Sequence, residues 1–338
     1  MVTPMVVRVA VTLRVPDLIH KGYKSLEDLR RQLDVHPRLL GKLLAHLVSL
    51  DLLSSAGDGD YRLTPAGQLL VRDEETAFFT DALDLENVAG RLDMAVVELL
   101  HTVRTGEAAY AKALGDGVWE HLNSGRYSIE SLRGFVDHAT VPDLDLLVDD
   151  HAWAEVHRVV DVGGNTGAVV EALLKRYRHL SVALIDLTCF ADLASTRLRP
   201  FGERCVVIDQ SFFDPLPEDS DAYLLSGILA DWSDDDACKI LANCARAAGT
   251  HGRILVSELH LSGTTLDPVN PTRSDLAVET AMQVPDRTTD EIEHLAALAG
   301  LTCIRRTKSK IRSLLEFKNY SKDRAILDTP GGAVRVCN

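Results

Sequence analysis

The run Val159-Val160-Asp161-Val162-Gly163-Gly164-Asn165-Thr166-Gly167 joins a short apolar stretch to three closely spaced glycines. It predicts a buried β-strand running into a glycine-rich turn that opens a helix. The helix is expected over Thr166 to Tyr177, with Val169, Val170, Leu173, Leu174 and Tyr177 at helical spacing. A second apolar run, Ser181-Val182-Ala183-Leu184-Ile185-Asp186, ends in a carboxylate. In open α/β sheets ligands bind at the carboxyl ends of the strands, and an acid at a strand tip is placed to accept from a ribose diol. The chain is therefore expected to bind a nucleoside-containing ligand.

The glycine spacing narrows that ligand. A dinucleotide site wants Gly-x-Gly-x-x-Gly, so that a pyrophosphate can rest on the helix N-terminus. Neither register is present, because Asn165 stands two residues after Gly163 and Thr166 two after Gly164. What remains is Asp-x-Gly-x-x-x-Gly, formed by Asp161, Gly163 and Gly167, with Asp186 on the next strand. That pattern resembles the S-adenosylmethionine loop of class I methyltransferases. S-adenosylmethionine carries no phosphate, which suits a loop lacking a third spaced glycine and a basic residue.

Strand signals recur near Val159, Ala183, Val206, Tyr223, Leu255, Cys303 and Leu315, with helical stretches between most of them. This alternation predicts an α/β fold with a doubly wound, mostly parallel seven-stranded sheet over residues 154–320. Residues 1–95 differ. Ser25 is a capping residue for a short helix, His36-Pro37 opens a leucine-rich helix, and Tyr61-Arg62-Leu63 reads as a strand before Thr64-Pro65. Helix, turn, helix and a two-stranded wing suggest a winged-helix unit. Residues 96–153 read as a helical bridge contributing to a substrate pocket, and 321–338 as a loose tail.

A winged helix raises a rival function, DNA-binding regulation, because such modules often lay their second helix in the major groove. Here that helix offers Arg38, Lys42 and His46, but its apolar face is broad, which favours packing or dimerisation over base reading. The charge balance points the same way. With 36 Lys and Arg against 50 Asp and Glu, the formal net charge is −14, unsuited to nucleic acid or an anionic membrane as main partner. No run approaches the roughly 18–20 apolar residues that span a bilayer. The six cysteines show no Cys-x-x-Cys spacing, so neither a metal site nor a disulfide scaffold is expected, and cytoplasmic residence is the default.

Downstream motifs extend the resemblance. Cys205 to Asp209 leads into Gln210-Ser211-Phe212-Phe213-Asp214-Pro215, then Asp221-Ala222-Tyr223-Leu224-Leu225-Ser226, then Ile228-Leu229-Ala230-Asp231-Trp232-Ser233. From Pro4 to about Phe317 the chain resembles small-molecule O-methyltransferases of the caffeate and polyketide-tailoring type. These pair an N-terminal winged-helix dimerisation domain with a class I methyltransferase domain. The resemblance implies a homodimer, S-adenosylmethionine as cofactor and methylation of a phenolic hydroxyl on a secondary-metabolite precursor. It assigns Asp161, Gly163, Gly164 and Gly167 to the methionine part of the cofactor, Asp186 with Leu187 to the ribose, Ser211-Phe212 to adenine and Ser226 to the cofactor carboxylate.

The family's catalytic histidine falls where this sequence has Ala230. Alanine supplies no base, and a phenol with a pKa near 10 is a weak nucleophile until deprotonated. Glu258 matches the family's histidine-orienting acid, Asp286 a second acid before an Arg-Thr pair, and His260 stands two residues beyond Glu258. Three accounts of Ala230 remain open at this point. A sufficiently acidic substrate needs only alignment; or His260, His138 or Glu258 serves as base; or the scaffold performs a non-methylating hydroxylation, decarboxylation or cyclisation.

Overall fold

A computed structural model describes residues 2–55, 59–73, 75–127, 131–133, 136–137, 141–260, 271–282 and 287–319. The tail 321–338, His138 and Asp286 lie outside the described residues. The chain divides into two compact units, residues 1–95 and 96–338.

In the first unit, helices α1 (Val2–Thr12), α2 (Val15–His20), α3 (Leu26–Gln32) and α4 (Pro37–Ser49) precede a two-stranded antiparallel ribbon of β1 (Leu53–Ser55) and β2 (Tyr61–Leu63). The Ser25 hydroxyl accepts from the Asp28 amide and satisfies one of the amides left open at the start of α3. Pro37 starts α4 where a missing N–H costs nothing. Leu40, Leu44 and Leu47 point inward from α4 to meet Ala10, Val15, Ile19 and Leu29, while Leu39 is exposed.

The second unit holds a seven-stranded sheet made of β3 (Arg158–Val162), β4 (Ser181–Asp186), β5 (Cys205–Asp209), β6 (Ala222–Ser226), β7 (Arg253–Leu259), β8 (Leu301–Lys308) and β9 (Arg312–Asn319). All seven strands lie where the sequence places them. Their order is β5-β4-β3-β6-β7-β9-β8, parallel through β7, with β9 antiparallel to both β7 and β8. The direction of winding reverses between β3 and β6, which makes the carboxyl ends of those strands the place for a ligand.

Alternation along the strands builds two cores. Val160, Val162, Tyr223, Leu225, Ile254 and Val256 face the helices Asp234–Ala248 and Thr289–Leu298. Val159, Val182, Leu184, Leu224 and Leu255 face the helices Ala168–Arg176 and Thr188–Leu198. Each such side chain contributes about 1.5–3 kcal/mol through burial.

The helix after β3 spans Ala168–Arg176, a little shorter than Thr166 to Tyr177. Gly167 is left-handed at its start (φ 76°) and Tyr177 is extended at its end, so both ends are set by backbone conformation that apolar spacing does not reveal.

Candidate active site at the carboxyl edge of the sheet

Five parallel strands end side by side and deliver Asp209, Asp186, the glycine turn, Ser226 and Glu258 to one edge. In the glycine turn, the amides of Gly163 and Gly164 donate to the Ile185 carbonyl at 2.9 and 3.2 Å, stitching the turn to β4. Gly163 adopts φ 77°, and a Cβ there would lie 2.5 Å from Ile228 Cδ1 and 3.3 Å from Phe212 Cε1. A Cβ on Gly164 would lie 2.4 Å from Leu184 Cγ and 2.6 Å from Asp161 Oδ2. The turn is thus close-packed from both sides, and only glycine leaves its backbone open to a ligand.

Two carboxylates stand beside it. Asp186 is buried; its Oδ2 accepts from the Asn165 amide at 2.7 Å and its Oδ1 from the Leu187 amide at 2.7 Å. Those bonds fix its orientation and leave a second lone pair on each oxygen. Burial pushes Asp186 up to about 6 even though the two amides favour its charge. Asp161 is 1% exposed, its Oδ2 has no hydrogen-bond partner among the described residues, and burial beside Asp186 pushes it up to about 7. A buried carboxylate oxygen without a partner is costly. Both groups fit a ligand that brings positive charge and hydroxyl donors, as S-adenosylmethionine does with its sulfonium, ammonium and ribose diol.

Phe212 packs against the same turn and joins an aromatic cluster. Its ring lies 5.2 Å from Phe213 and 5.6 Å from Trp232, Phe213 lies 4.9 Å from Trp232, and Trp119 stacks on Trp232 at 6.5 Å and 14°. Trp119 belongs to the helix Val118–Leu122. Just beyond that helix the Asn123 side chain accepts from the Cys189 amide at 3.0 Å, so the segment reaches from the end of β4 to the loop after β6. Ser211 Oγ accepts from the Phe213 amide of its own loop at 3.2 Å, which occupies one lone pair and leaves the other for a ligand.

A further arginine meets the site at Ser226. Arg312, 1% exposed at the start of β9, donates to Ser257 Oγ at 2.9 Å and Ser226 Oγ at 3.4 Å, and its Nε donates to the Pro142 carbonyl at 3.0 Å. Nothing in the sequence pattern marks it, because the contact depends on the antiparallel insertion of β9 beside β7.

The Ala230 corner is built from three directions. Residues Leu229–Asp231 form a tight 3₁₀ turn after β6. From β7, Glu258 Oε1 accepts from the Leu229 amide at 2.8 Å. Arg287 donates to the Leu229 carbonyl at 2.5 Å, the Trp232 carbonyl at 2.7 Å and Asp234 at 2.7–2.9 Å. Local sequence explains why these groups arrive there. Ser233 caps the helix after Trp232 and accepts from the Asp236 amide. Thr288 and Glu291 form a reciprocal capping box that starts the next helix one residue after Arg287. His260 lies just past β7 with its Nε2 paired to Ser313 Oγ at 2.9 Å.

Behind the glycine turn, Thr166 and Arg197 both bind Asp137. Arg197 also donates to Thr166 Oγ1 at 2.7 Å, and Glu171 lies 3.6 Å from its Nε. The sequence gives no signal for this cluster, whose members lie on separate segments. Among the described residues no group of three or more metal-ligating side chains occurs, and no helix is long and apolar enough to cross a membrane.

Comparison with known proteins follows the same architecture. Residues 96–302 match the O-methyltransferase domain and residues 1–73 the O-methyltransferase dimerisation domain. A 2,7-dihydroxy-5-methyl-1-naphthoate 7-O-methyltransferase of Streptomyces carzinostaticus is 38% identical over 88% of this chain and 89% of its own length. Aclacinomycin 10-hydroxylase RdmB of Streptomyces purpurascens is 34% identical over 96% and 90%. The crystal structure of the O-methyltransferase NcsB1 from neocarzinostatin biosynthesis, in complex with S-adenosylmethionine and 2-hydroxy-5-methyl naphthoic acid, superposes with a TM-score of 0.77 at 35% identity, covering 94% of this chain and 96% of that one.

Proposed function

The chain belongs to the O-methyltransferase family, and from that premise we propose that it methylates a phenolic hydroxyl of a polycyclic aromatic precursor in secondary metabolism, using S-adenosylmethionine. One observation carries the cofactor assignment: the glycine turn leaves no room for a Cβ, and against it lies a buried Asp161 oxygen with no partner among the described residues. The bound cofactor supplies the electrophilic methyl group. Asp161 and the turn at Gly163, Gly164 and Gly167 hold its methionine part, Asp186 with Leu187 receives the ribose, and Ser211-Phe212 frames the adenine. Ser226, oriented by Arg312, faces the cofactor carboxylate. The Trp119–Trp232 stack offers flat apolar surface to an aromatic ring, whose edge-to-face and stacked contacts are worth about 0.5–1.5 kcal/mol each.

A naphthoate-type substrate is the preferred class, because a 38% identical relative methylates a dihydroxynaphthoate and NcsB1 binds a hydroxynaphthoic acid. The reaction runs in the cytoplasm on a homodimer joined through residues 1–73. A second reading, non-methylating tailoring, is favoured by the 34% identity to a hydroxylase over nearly the whole chain and by Ala230.

The deciding experiment incubates the enzyme with S-adenosylmethionine and a panel of hydroxynaphthoic acids and follows both products by mass spectrometry. Methyl transfer gives one equivalent of S-adenosylhomocysteine for each methoxy product. Cofactor binding with no S-adenosylhomocysteine across the panel would sink the methylation proposal, and an oxygenated or decarboxylated product with intact cofactor would establish the second reading.

A further inference from the structure

Ala230 removes the usual base, yet the carboxylate that would orient a histidine is still present and is incompletely bonded. Glu258 is 4% exposed; Oε1 is held by the Leu229 amide, while Oε2 is buried without a hydrogen-bond partner among the described residues. The same 3₁₀ turn that supplies that amide ends at Asp231, a half-buried residue whose carboxylate takes no hydrogen bond from a described residue. We propose that Asp231 and Glu258 act together as a carboxylate pair that holds one proton between them and accepts the substrate hydroxyl proton, replacing the base that Ala230 omits. The proposal rests on the methyl-transfer function above.

The surroundings suit that work. Burial and the neighbouring Glu258 charge push Asp231 up to about 8, and burial pushes Glu258 up to about 7. Two neighbouring like charges resist simultaneous ionisation, so the two carboxyls bind protons as a coupled pair, each raised above the ordinary carboxylate range. A base is most effective when its pKa lies near the working pH. The charged groups facing the pair come from every neighbouring element. Arg287, ahead of the helix Thr289–Leu298, and Arg312, at the start of β9, both favour the ionised form of Glu258. Asp234 opens the adjacent helix and is engaged by Arg287, and His260 is engaged by Ser313. The arginines keep Glu258 ionisable, while Arg287 also clamps the turn that carries Asp231.

In the step itself the substrate O–H bond breaks, the proton joins the ionised carboxylate oxygen and the electron pair stays on the phenolic oxygen. The proton then passes from the pair to water. The pair therefore moves only a proton, and the methyl group goes to the oxygen it has freed.

The test uses the full-length enzyme with S-adenosylhomocysteine bound and 2-naphthol as a probe, a phenol with an ordinary pKa of about 10. Absorbance reports the naphtholate formed on binding at pH 8. The pair should yield bound naphtholate in the parent, and Asp231→Asn, Glu258→Gln and the double variant should lose most of it. In turnover, each single variant should lower kcat by about 10²–10³, within the range of a positioned base. KM and cofactor affinity should stay within threefold, and the rise in rate between pH 6 and 8 should flatten. Asp231→Glu should restore part of the signal, and calorimetric cofactor binding certifies that each variant is folded. Undiminished naphtholate, or a double variant within threefold of the parent rate with the same pH profile, overturns the pair. If the parent forms naphtholate but never methylates any phenol, the methyl-transfer function fails while the pair stands.

Discussion

Two pairs of acids sit at the same edge of one sheet and are built in opposite ways. Asp161 and Asp186 flank the β3 turn, lie on adjacent strands and are joined through a single glycine loop. Asp231 sits after β6 and Glu258 near the end of β7, joined by a tight turn, an arginine from a distant helix start and a strand running the other way. Burial raises the pKa of all four. The difference lies in what relieves the strain of that burial. On the proposed assignment the first pair meets a permanent cation and donors on a cofactor, whereas the second has arginines at hand and meets a neutral hydroxyl. A carboxylate facing a fixed charge becomes a binding group; one facing a proton becomes a base.

The comparison breaks most sharply at Gly164. Alanine there puts a Cβ against Leu184, in the core of β4, and against the Asp161 carboxylate. Overpacking of this kind costs about 1–3 kcal/mol of stability, and the displaced Asp161 oxygen no longer meets the cofactor. Gly164→Ala should weaken S-adenosylmethionine binding at least about 100-fold by calorimetry, the equivalent of about 2.7 kcal/mol. The β6–β7 corner, reached through other strands, should still ionise 2-naphthol when cofactor product is supplied in excess. Unchanged cofactor affinity would show that the turn is not the binding surface.

Next in size is the response to pH. A folded-state pKa raised above the unfolded value means the native carboxyl keeps its proton where the unfolded one has lost it. Between roughly pH 4 and 8 the native state then binds more protons, so its stability falls as pH rises. The cofactor-free protein should lose several degrees of melting temperature from pH 5 to 8, the fall being steepest below about pH 6.5 and levelling off towards 8. Cationic cofactor drives Asp161 and Asp186 towards ionisation and releases protons. Calorimetry in buffers of different ionisation enthalpy should show up to about one proton released near pH 6.5, and affinity should rise by up to about tenfold per pH unit there. A melting temperature that climbs over this range, or proton uptake on binding, contradicts the assignment of the first pair.

The same contrast explains how much was legible in the sequence. The strands and the glycine turn could be read because their determinants are local: alternating or continuous apolar runs, and glycines within a few residues of the acid they pack on. Asp186 stood out as the last residue of an apolar run, and Ser25 as a cap three residues before Asp28. The Ala230 corner was legible only as motifs. Leu229 and Glu258 are far apart in the chain and meet because β6 and β7 are neighbours in the sheet. Arg287 looked like part of an acid-arginine-threonine motif, but its work is to hold the turn at Leu229 and Trp232. Arg312 has no local signature at all, since an arginine opening a strand ordinarily faces water. Here both faces of that strand are covered.

The smallest expected effect separates substrate from cofactor within the aromatic cluster. Trp119 reaches Trp232 from the helix Val118–Leu122, whereas Phe212 touches the glycine turn directly. If the outer ring serves the substrate and the inner one the cofactor, truncating the outer ring removes one aromatic contact of about 0.5–1.5 kcal/mol. Trp119→Ala should therefore raise KM for the aromatic substrate about two- to tenfold, with kcat and cofactor affinity nearly unchanged, and Trp119→Phe should recover part of the loss. Phe212→Ala should do the reverse, weakening the cofactor more than the substrate. The opposite pattern, with Trp119→Ala acting on the cofactor, would move the adenine outward to the Trp119–Trp232 stack and leave the substrate to the residues around Ala230.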